Sequence, residues 1–285
     1  MQKPSSALRC RVGDTVEYGG GSLPLIAGPC VIESLEHCLR VGSFAQEVCG
    51  RLGVPFVFKA SFDKANRSSG SSYRGPGLER GLEILGEVKR RLGVPVLSDV
   101  HEAGQAGACA EVLDVLQIPA FLCRQTDLVE ACGRAAGGAG RTVAVKKGQF
   151  LSPQEMGNVA EKLVGVGLGR DRILLTERGT FFGYNRLVND FGGLLELRGL
   201  GCCVVFDATH SCQRPGGLGS SSGGVRELSP VLARAACAVG VDGLFVEIHD
   251  DPERAQSDAA TVMPLAWLEP TLRSCLAIRS SVLGG

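Results

Sequence analysis

The chain has 285 residues and a mass of 29.8 kDa, and its 30 basic and 30 acidic residues give a formal net charge of zero. This balance argues against a nucleic acid or a membrane surface as the main partner. Hydrophobic residues make up 44% of the chain, which is ample for a buried core and excludes a disordered protein. No apolar run approaches the length of a transmembrane helix.

The N-terminal residues and the cysteines bear on location. Residues 1–11 are polar and lack the apolar segment of a secretory signal. The 12 cysteines are scattered without CxxC spacing, and Cys202 and Cys203 are adjacent in a predicted strand, so they point to opposite faces. We therefore expect reduced thiols, used mostly as small core residues, and a cytoplasmic location.

The first predicted elements are a β-hairpin and a strand followed by a helix. Residues 9–18 alternate around Gly13-Asp14, which is typical of a hairpin. Residues 23–30 form an apolar strand that stops at Gly28-Pro29. A helical stripe follows, formed by Cys38, Val41, Ala45 and Val48.

This strand and helix unit recurs along the chain. Further apolar strands are predicted near 55–62, 95–100, 115–121, 142–147, 172–177, 202–208 and 242–248. Helical stripes between them include Leu78/Leu82/Leu85/Val88, Met156/Val159/Leu163 and Leu228/Val231/Leu232/Ala235. Eight such units in roughly 250 residues predict one (β/α)8 TIM barrel over residues 23–280, preceded by the hairpin, in a single domain spanning 1–285. An open doubly wound sheet is the alternative, since periodicity does not show closure.

Polar side chains follow each predicted strand, at the end where a barrel carries its chemistry. On the second strand, Lys59, Ser61 and Asp63 should share one face, and Lys64 and Arg67 follow in a polar loop suited to an anionic, phosphorylated ligand. The strand ends are Cys30, 59–67, 99–101, 124–125, 146–149, 177–178, 207–210 and 247–249.

Four of these residues could bind a divalent metal ion. Cys30, His210 and Glu247 end strands one, seven and eight, which are neighbours in a closed barrel, and Asp258 could fold back over the same corner. A thiolate, an imidazole and two carboxylates form a ligand set of mixed softness. Alternatively, Cys30 is a small core residue and His210 a hydrogen-bonded strand-end histidine.

Five cations should point into the same barrel mouth. They come from four strands, and their mutual repulsion predicts more than one bound phosphate or carboxylate. Salt bridges to Asp63, Asp99 and Asp207 could account for part of this charge. Lys147 should face away from the mouth. The five are Lys59, Lys64, Arg124, Lys146 and Arg178.

Two loops could order around a ligand, namely residues 68–77 and 212–224. The second is rich in Gly and Ser, so its backbone can close and reopen, although a plain flexible linker has the same composition.

Together these motifs closely resemble the family of 3-deoxy-D-manno-octulosonate 8-phosphate (Kdo8P) synthases. The resemblance covers about residues 23–276. It rests on Ala27-Gly28-Pro29-Cys30, residues 59–69, Ser98-Asp99-Val100-His101, Arg124-Gln125-Thr126-Asp127, Lys146-Lys147-Gly148-Gln149-Phe150, Glu177-Arg178-Gly179, Asp207-Ala208-Thr209-His210 and Ser257-Asp258-Ala259. Arg186 and Asn189 depart from the expected pattern after strand six.

The resemblance implies a tetrameric barrel that condenses phosphoenolpyruvate with D-arabinose 5-phosphate and water for lipopolysaccharide synthesis. It implies that Lys59, Lys64, Arg124, Lys146 and Arg178 hold phosphoenolpyruvate, with Gln149 beside them, and that Asn66, Arg67 and Ser68 take the pentose phosphate and Asp99 its hydroxyls. Lys59, Lys64, Asp99, His210 and Asp258 are the implied catalytic residues.

The residue at position 30 selects between two branches of this family. Cys30, His210, Glu247 and Asp258 match the ligand set of the metal-dependent branch, whereas the metal-independent branch has Asn in place of Cys30. The implied cofactor is a divalent ion such as Zn, Fe(II), Mn or Co. The alternatives are a heptulosonate phosphate synthase that uses erythrose 4-phosphate and a non-catalytic barrel that binds phosphosugars.

Overall fold

The computed structural model describes residues 8–66, 72–181, 185–215 and 223–283. In chain order the strands are β1 (Cys10–Val12), β2 (Val16–Tyr18), β3 (Leu25–Gly28), β4 (Phe56–Lys59), β5 (Val96–Asp99), β6 (Val115–Ile118), β7 (Thr142–Lys146), β8 (Ile173–Glu177), β9 (Thr180–Phe181), β10 (Leu187–Val188), β11 (Cys203–Asp207), β12 (Gln213–Arg214), β13 (Gly223–Gly224), β14 (Gly243–His249) and β15 (Met263–Pro264). The helices are α1 (Leu35–Leu52), α2 (Leu78–Leu92), α3 (Ala106–Val112), α4 (Thr126–Ala139), α5 (Met156–Gly165), α6 (Phe191–Gly199), α7 (Ser229–Val239) and α8 (Leu265–Leu283).

Eight parallel strands close into a barrel. Neighbouring strands follow the order β3, β4, β5, β6, β7, β8, β11 and β14, and β14 pairs in turn with β3. Closure leaves the barrel proper without free edges. The predicted (β/α)8 barrel is therefore confirmed, and the open sheet is not formed.

The helices cover the barrel with the faces that periodicity predicted, with one exception. Cys38, Val41, Ala45 and Val48 of α1 are all buried. At α7, however, Leu228, which directly precedes the helix, and Val231 are 44% and 47% exposed, and the buried face carries Ala233, Ala236 and Cys237. Apolar residues lie all around α7, so their spacing alone does not select a face. No helix within the described residues is both long and apolar enough to cross a membrane.

The second barrel strand is shorter than its apolar pattern predicts. It ends at Lys59, and Ser61 forms only an isolated bridge with Val31. Asp63 was expected on the same face as Lys59 and Ser61, but it accepts a hydrogen bond of 2.8 Å from Nε of Arg74 instead. The chain has left the sheet by this point, so the two-residue alternation no longer applies.

The N-terminal hairpin, formed by β1 and β2, closes one end of the barrel, and we call it the hairpin plug. Cys10, Val12, Val16 and Tyr18 are buried and form one cluster with inward-facing apolar residues of the barrel. Each barrel strand contributes one residue to this layer, and β11 contributes two. These are Ile26, Val57, Leu97, Val115, Ala144, Leu174, Cys203, Val205 and Phe245.

The next inward layer toward the carboxyl ends is polar. Side chains on a strand alternate between faces, so the residue two positions beyond each inner apolar one also points inward. This places seven buried polar side chains above the apolar layer: Lys59, Asp99, Gln117, Lys146, Thr176, Asp207 and Glu247. The inner face therefore changes from apolar to polar over a single layer.

Two substitutions of Tyr18 distinguish the contribution of its ring packing from that of its hydroxyl. The ring is fully buried, whereas its hydroxyl has no hydrogen-bond partner among the described residues. Tyr18→Ala should lower the free energy of unfolding by about 3–5 kcal/mol, since it leaves a cavity. Tyr18→Phe should be neutral or stabilising, because it removes only a buried hydroxyl that is unsatisfied. Urea unfolding measures both, and equal losses in the two variants would contradict this account.

Candidate active site

A cavity of about 720 Å³ opens at the carboxyl ends of the barrel strands. This is the end at which TIM barrels carry their active sites. Many of the predicted site residues line it, among them Lys64, Asn66, Asp99, Lys146, Gln149, Arg178, His210, Glu247 and Asp258. The strand-end residues of β5, β7, β8, β11 and β14 thus meet around one space.

Lys59 lies beneath this cavity and is 1% exposed. Its Nζ donates to Oε1 of Glu247 at 2.5 Å and to the carbonyl of Cys30 at 2.8 Å. Burial alone would raise the pKa of Glu247, but the charges of Lys59 and Lys64 hold that pKa below its usual range. Lys59 therefore keeps Glu247 ionised and ties β4 to β14 and to the end of β3.

Three predicted metal ligands form a compact group. Single ligand atoms of Cys30, Glu247 and Asp258 all lie within 4.8 Å of one another. Nε2 of His210 lies 3.5 Å from Oε1 of Glu247 and 3.9 Å from Oδ2 of Asp258. Oε2 of Glu247 is buried without a hydrogen-bond partner among the described residues. The S, N and O donors and the orphaned carboxylate oxygen fit a divalent ion.

The cysteine and the aspartate of this group are held in unusual states. Burial, with the nearby charge of Glu247, raises the pKa of Cys30, so its thiol stays protonated and donates to Oδ2 of Asp258 at 3.0 Å. Asp258 has φ of +51°, a left-handed conformation that non-glycine residues rarely adopt. Gln213 holds the other carboxylate oxygen at 2.8 Å. Such local strain is typical of functional sites.

His210 is oriented by a carboxylate behind it. Its Nδ1 lies 2.7 Å from Oδ2 of Asp207, which also accepts from Nζ of Lys146 at 2.6 Å. Because Asp207 is an acceptor, we infer that Nδ1 carries the proton and that Nε2 presents its lone pair toward Glu247 and Asp258. Carboxylates commonly orient metal-binding histidines in this way.

Asp99 occupies the opposite side of the polar layer. It accepts from Ser61 Oγ at 2.5 Å and from Gln117 Nε2 at 2.6 Å, and Lys64 Nζ lies 3.9 Å away. Burial would raise the pKa of Asp99, but the charges of Lys64, Lys59 and Lys146 outweigh it and hold the pKa well below its usual range. Asp99 is thus a firmly ionised acceptor at the cavity wall.

Arg178 and Gln149 have unused hydrogen-bonding capacity in the cavity. Nη2 of Arg178 donates to Oε1 of Gln213 at 2.6 Å, whereas its buried Nη1 has no partner among the described residues. Oε1 of Gln149 is also buried without one. Desolvation lowers the pKa of Arg178, although the charges of nearby carboxylates, Asp207 first among them, act in the opposite direction. A buried guanidinium with a free donor is suited to bind a phosphate or carboxylate.

Some predicted site residues are not brought into the cavity. Arg124 is exposed and does not line the cavity. Its backbone carbonyl accepts a hydrogen bond from Nζ of Lys162 at 3.3 Å. Asn66 lines the rim but is exposed. Arg67 and Ser68 lie outside the described residues, as do parts of both predicted ligand loops, so these assignments stay predictions.

Three residues of the site have no individual role in the sequence analysis, although Gln213 lies in the predicted loop 212–224 and Ser257 in the motif Ser257-Asp258-Ala259. Gln117 is a polar residue at an inward position of an apolar strand, which is a signal that alternation could have revealed. Ser257 Oγ lies 3.0 Å from Sγ of Cys30, and Gln213 bridges Arg178 to Asp258. No local sequence pattern around Gln213 predicts its hydrogen bonds to Arg178 and Asp258, because these residues lie on loops that meet only in the folded chain.

A second group of possible ligands, Glu33, His37 and His249, lies outside the cavity. The backbone N–H of Asp251 donates to Nδ1 of His249 at 2.9 Å, so Nε2 must carry the proton and donate to Oε1 of Glu33 at 3.2 Å. A metal ion at Nε2 of His249 would move the ring proton to Nδ1, where it would face the backbone N–H of Asp251, and two donors would then oppose each other. This group is therefore a hydrogen-bonded anchor between the end of β14 and the start of α1.

Comparisons with known proteins identify the family of this chain. The sequence model of the DAHP synthetase I family matches residues 7–277. A protein of Synechococcus sp. named 2-dehydro-3-deoxyphosphooctonate aldolase is 57% identical over 279 residues, covering 98% of this chain and 96% of the relative. Proteins of the same name from Syntrophotalea carbinolica and Cyanothece sp. are 55% and 56% identical, over 96% of this chain and 97% and 99% of their own lengths. The resemblance seen in the motifs is thereby confirmed, and the chain belongs to the DAHP synthetase I family, within its group of 2-dehydro-3-deoxyphosphooctonate aldolases, the Kdo8P synthases.

Proposed function

We propose that this protein condenses phosphoenolpyruvate with D-arabinose 5-phosphate and water, producing 3-deoxy-D-manno-octulosonate 8-phosphate and inorganic phosphate. The observation that carries the proposal is the inward polar layer with Arg178, Lys146 and Lys64 at its open side. Two anionic substrates must be held together against their repulsion, and such a group of cations lowers that cost. The product belongs to lipopolysaccharide synthesis, and the enzyme is a transferase.

The residues support a division of the cavity between the two substrates. Arg178 and Lys146, on adjacent strands β8 and β7, would bind the phosphate and carboxylate of phosphoenolpyruvate, with Gln149 beside them. Asp99 would accept hydrogen bonds from the pentose hydroxyls, since it is a buried carboxylate at the wall. Asn66, which lines the rim, would hold the pentose phosphate together with Arg67 and Ser68.

The chemistry requires charge to be stabilised at two atoms. The enol carbon of phosphoenolpyruvate attacks the pentose aldehyde, whose oxygen becomes negative and takes up a proton, and water then attacks the resulting cationic carbon and loses a proton. The hemiketal phosphate formed in this way breaks the C–O bond to its phosphate group, which gives the ketone of the product and inorganic phosphate. Lys64 faces the cavity beside Asp99, so its ammonium can stabilise a developing oxyanion there. Asp258 and His210 stand across the cavity, where they can hold a proton or a water.

Cys30, His210, Glu247 and Asp258 would hold the divalent ion of the metal-dependent branch. A bound ion supplies positive charge that polarises an oxygen of a substrate or of water. The described side chains prepare this site: Lys59 fixes Glu247, Asp207 turns His210, and Gln213 fixes Asp258. We also propose a homotetramer, by analogy with the family, and a cytoplasmic location.

Phosphate release tests the proposed reaction directly. The wild-type protein with added divalent metal should release inorganic phosphate when phosphoenolpyruvate and D-arabinose 5-phosphate are both present, and not with either alone. Erythrose 4-phosphate in place of the pentose phosphate is the matched control, because it is the substrate of the heptulosonate synthase alternative. A faster reaction with erythrose 4-phosphate would support that alternative, and no release with either sugar would support a binding protein.

Replacement of Arg178 tests the assignment of phosphoenolpyruvate. Arg178→Ala removes a charge-assisted contact, so it should weaken phosphoenolpyruvate binding by about 1.5–3 kcal/mol. Isothermal calorimetry measures this loss. Arg134→Ala serves as the control, since Arg134 is an exposed helical residue paired with Glu130, and it should bind as the wild type does. Unchanged affinity in Arg178→Ala would remove Arg178 from the binding site.

Replacement of Cys30 tests the need for a metal. Binding a metal ion displaces the thiol proton and uses the thiolate as a ligand, whereas Asn is neutral and coordinates weakly. Wild-type activity should be lost in chelator and return with added divalent metal. Cys30→Asn should bind little metal and keep at most weak activity that chelator does not change.

The control for that experiment is Cys49→Ala, because Cys49 is a buried cysteine of α1 and not a proposed ligand. It should keep the metal content and chelator sensitivity of the wild type. Full wild-type activity at a metal content near zero, established by elemental analysis, would overturn the metal assignment and leave the synthase assignment intact.

A further inference from the structure

Lys147 is a buried lysine that does not face the cavity. It follows the inward residue Lys146, so its side chain lies outside the barrel, where it is 1% exposed. Its Nζ donates to the carbonyl of Leu151 at 3.0 Å and to Oγ1 of Thr180 at 3.1 Å, and lies 3.4 Å from Oε2 of Glu177. One ammonium therefore binds the loops that follow β7 and β8.

Glu177 carries the other half of this connection. Its Oε1 accepts hydrogen bonds from the backbone N–H of Arg178 at 3.0 Å and of Gly179 at 2.6 Å. Gly179 has φ of +93°, so the chain turns sharply here and relies on glycine to do so. Glu177 thus holds the backbone turn from which the Arg178 side chain extends, and Lys147 in turn holds the Glu177 carboxylate.

The two loops are also joined by their backbones. The N–H of Phe181 donates to the carbonyl of Gln149 at 3.0 Å. Lys147 lies under this junction and holds the loop after β7 through Leu151 and the loop after β8 through Thr180. A shift in either loop would therefore move both Gln149 and Arg178.

The energetics of this ion pair favour a role in geometry over one in stability. Removing a lysine and a carboxylate from water costs free energy that their attraction roughly repays, so an apolar pair of similar volume is often as stable. The hydrogen bonds of the buried Lys147 ammonium are directional, so they hold their acceptors in defined positions. Those acceptors lie on the two loops that carry the unpartnered atoms of Gln149 and Arg178.

We propose that Lys147, with Glu177, is a positioning residue for phosphoenolpyruvate, because it aligns Arg178 and Gln149 from outside the barrel. The proposal rests on the proposed function of the cavity. Lys147 does not touch the substrate, and its removal should affect one substrate much more than the other, since Arg178 and Gln149 are assigned to phosphoenolpyruvate and the pentose phosphate is assigned to other residues.

The variant Lys147→Met keeps the length of the side chain and removes its charge and donors. We expect its Kd and KM for phosphoenolpyruvate to rise at least roughly 10-fold, the effect of weakening a charge-assisted hydrogen bond. The KM for D-arabinose 5-phosphate should change much less. Binding of phosphoenolpyruvate is measured by calorimetry on the metal-loaded protein, and wild-type turnover shows separately whether the proposed reaction holds.

A matched control lies at the opposite end of the barrel. Nζ of Lys89 lies 2.9 Å from Oδ1 of Asp114 and donates to the carbonyl of Val112 at 3.2 Å, so it too joins a carboxylate and a backbone. Lys89→Met should lower stability without changing the affinity for phosphoenolpyruvate. Equal losses of that affinity in Lys89→Met and Lys147→Met would mean general destabilisation and would overturn the proposal.

A double variant separates positioning from charge neutralisation. Lys147→Met with Glu177→Gln keeps an oxygen for the N–H groups of Arg178 and Gly179 and removes both charges of the Lys147–Glu177 pair. Its stability should recover more than its phosphoenolpyruvate affinity, and full recovery of that affinity would overturn the positioning role. If Lys147→Met does not fold, Thr180→Val removes one acceptor of the ammonium and should show a smaller loss confined to phosphoenolpyruvate. No such loss would likewise overturn the proposal.

Discussion

The alternation of side chains along the closed barrel is the constraint on which the rest of the structure depends. Inward positions recur every two residues, so along most strands an inner apolar residue that packs with the hairpin plug is followed two positions later by a buried polar side chain. Phe245 and Glu247 of β14 show the change, since the first packs against the plug and the second accepts from Lys59. A one-residue shift of any strand would exchange its inner and outer sets and destroy both layers together.

Burial of so many charges is tolerated because most of them are paired before substrate arrives. Lys59 is paired with Glu247, and Lys146 with Asp207. These pairs neutralise the charges around the base of the cavity, so the protein avoids the large cost of isolated buried charges. Arg178 differs, since its Nη1 is buried without a partner among the described residues. An incoming anion would satisfy that donor, and the site is in this sense incomplete without its ligand.

Several residues behind the cavity wall hold the site residues in position. Asp207 turns His210, Gln213 joins Arg178 to Asp258, and the Glu33 and His249 anchor ties the end of β14 to the chain before α1. Gln256, next to the Ser257 and Asp258 pair, donates its N–H to the same Glu33 at 3.0 Å. The cavity is thus built from loops that are each bound to a neighbouring loop, which preserves the short distances that catalysis requires.

The sequence by itself determined the eight strand and helix units, the polar strand ends and the family, because alternation and helical periodicity are local properties of the backbone. It also indicated that Lys147 faces away from Lys146. Only the tertiary structure decided closure, the burial of Lys59 under the cavity, the exposure of Arg124 and the bridge made by Gln213. Lys59 and Glu247 are 188 residues apart in the chain. Which charges meet depends on such distant pairs, and local patterns hold no information about them.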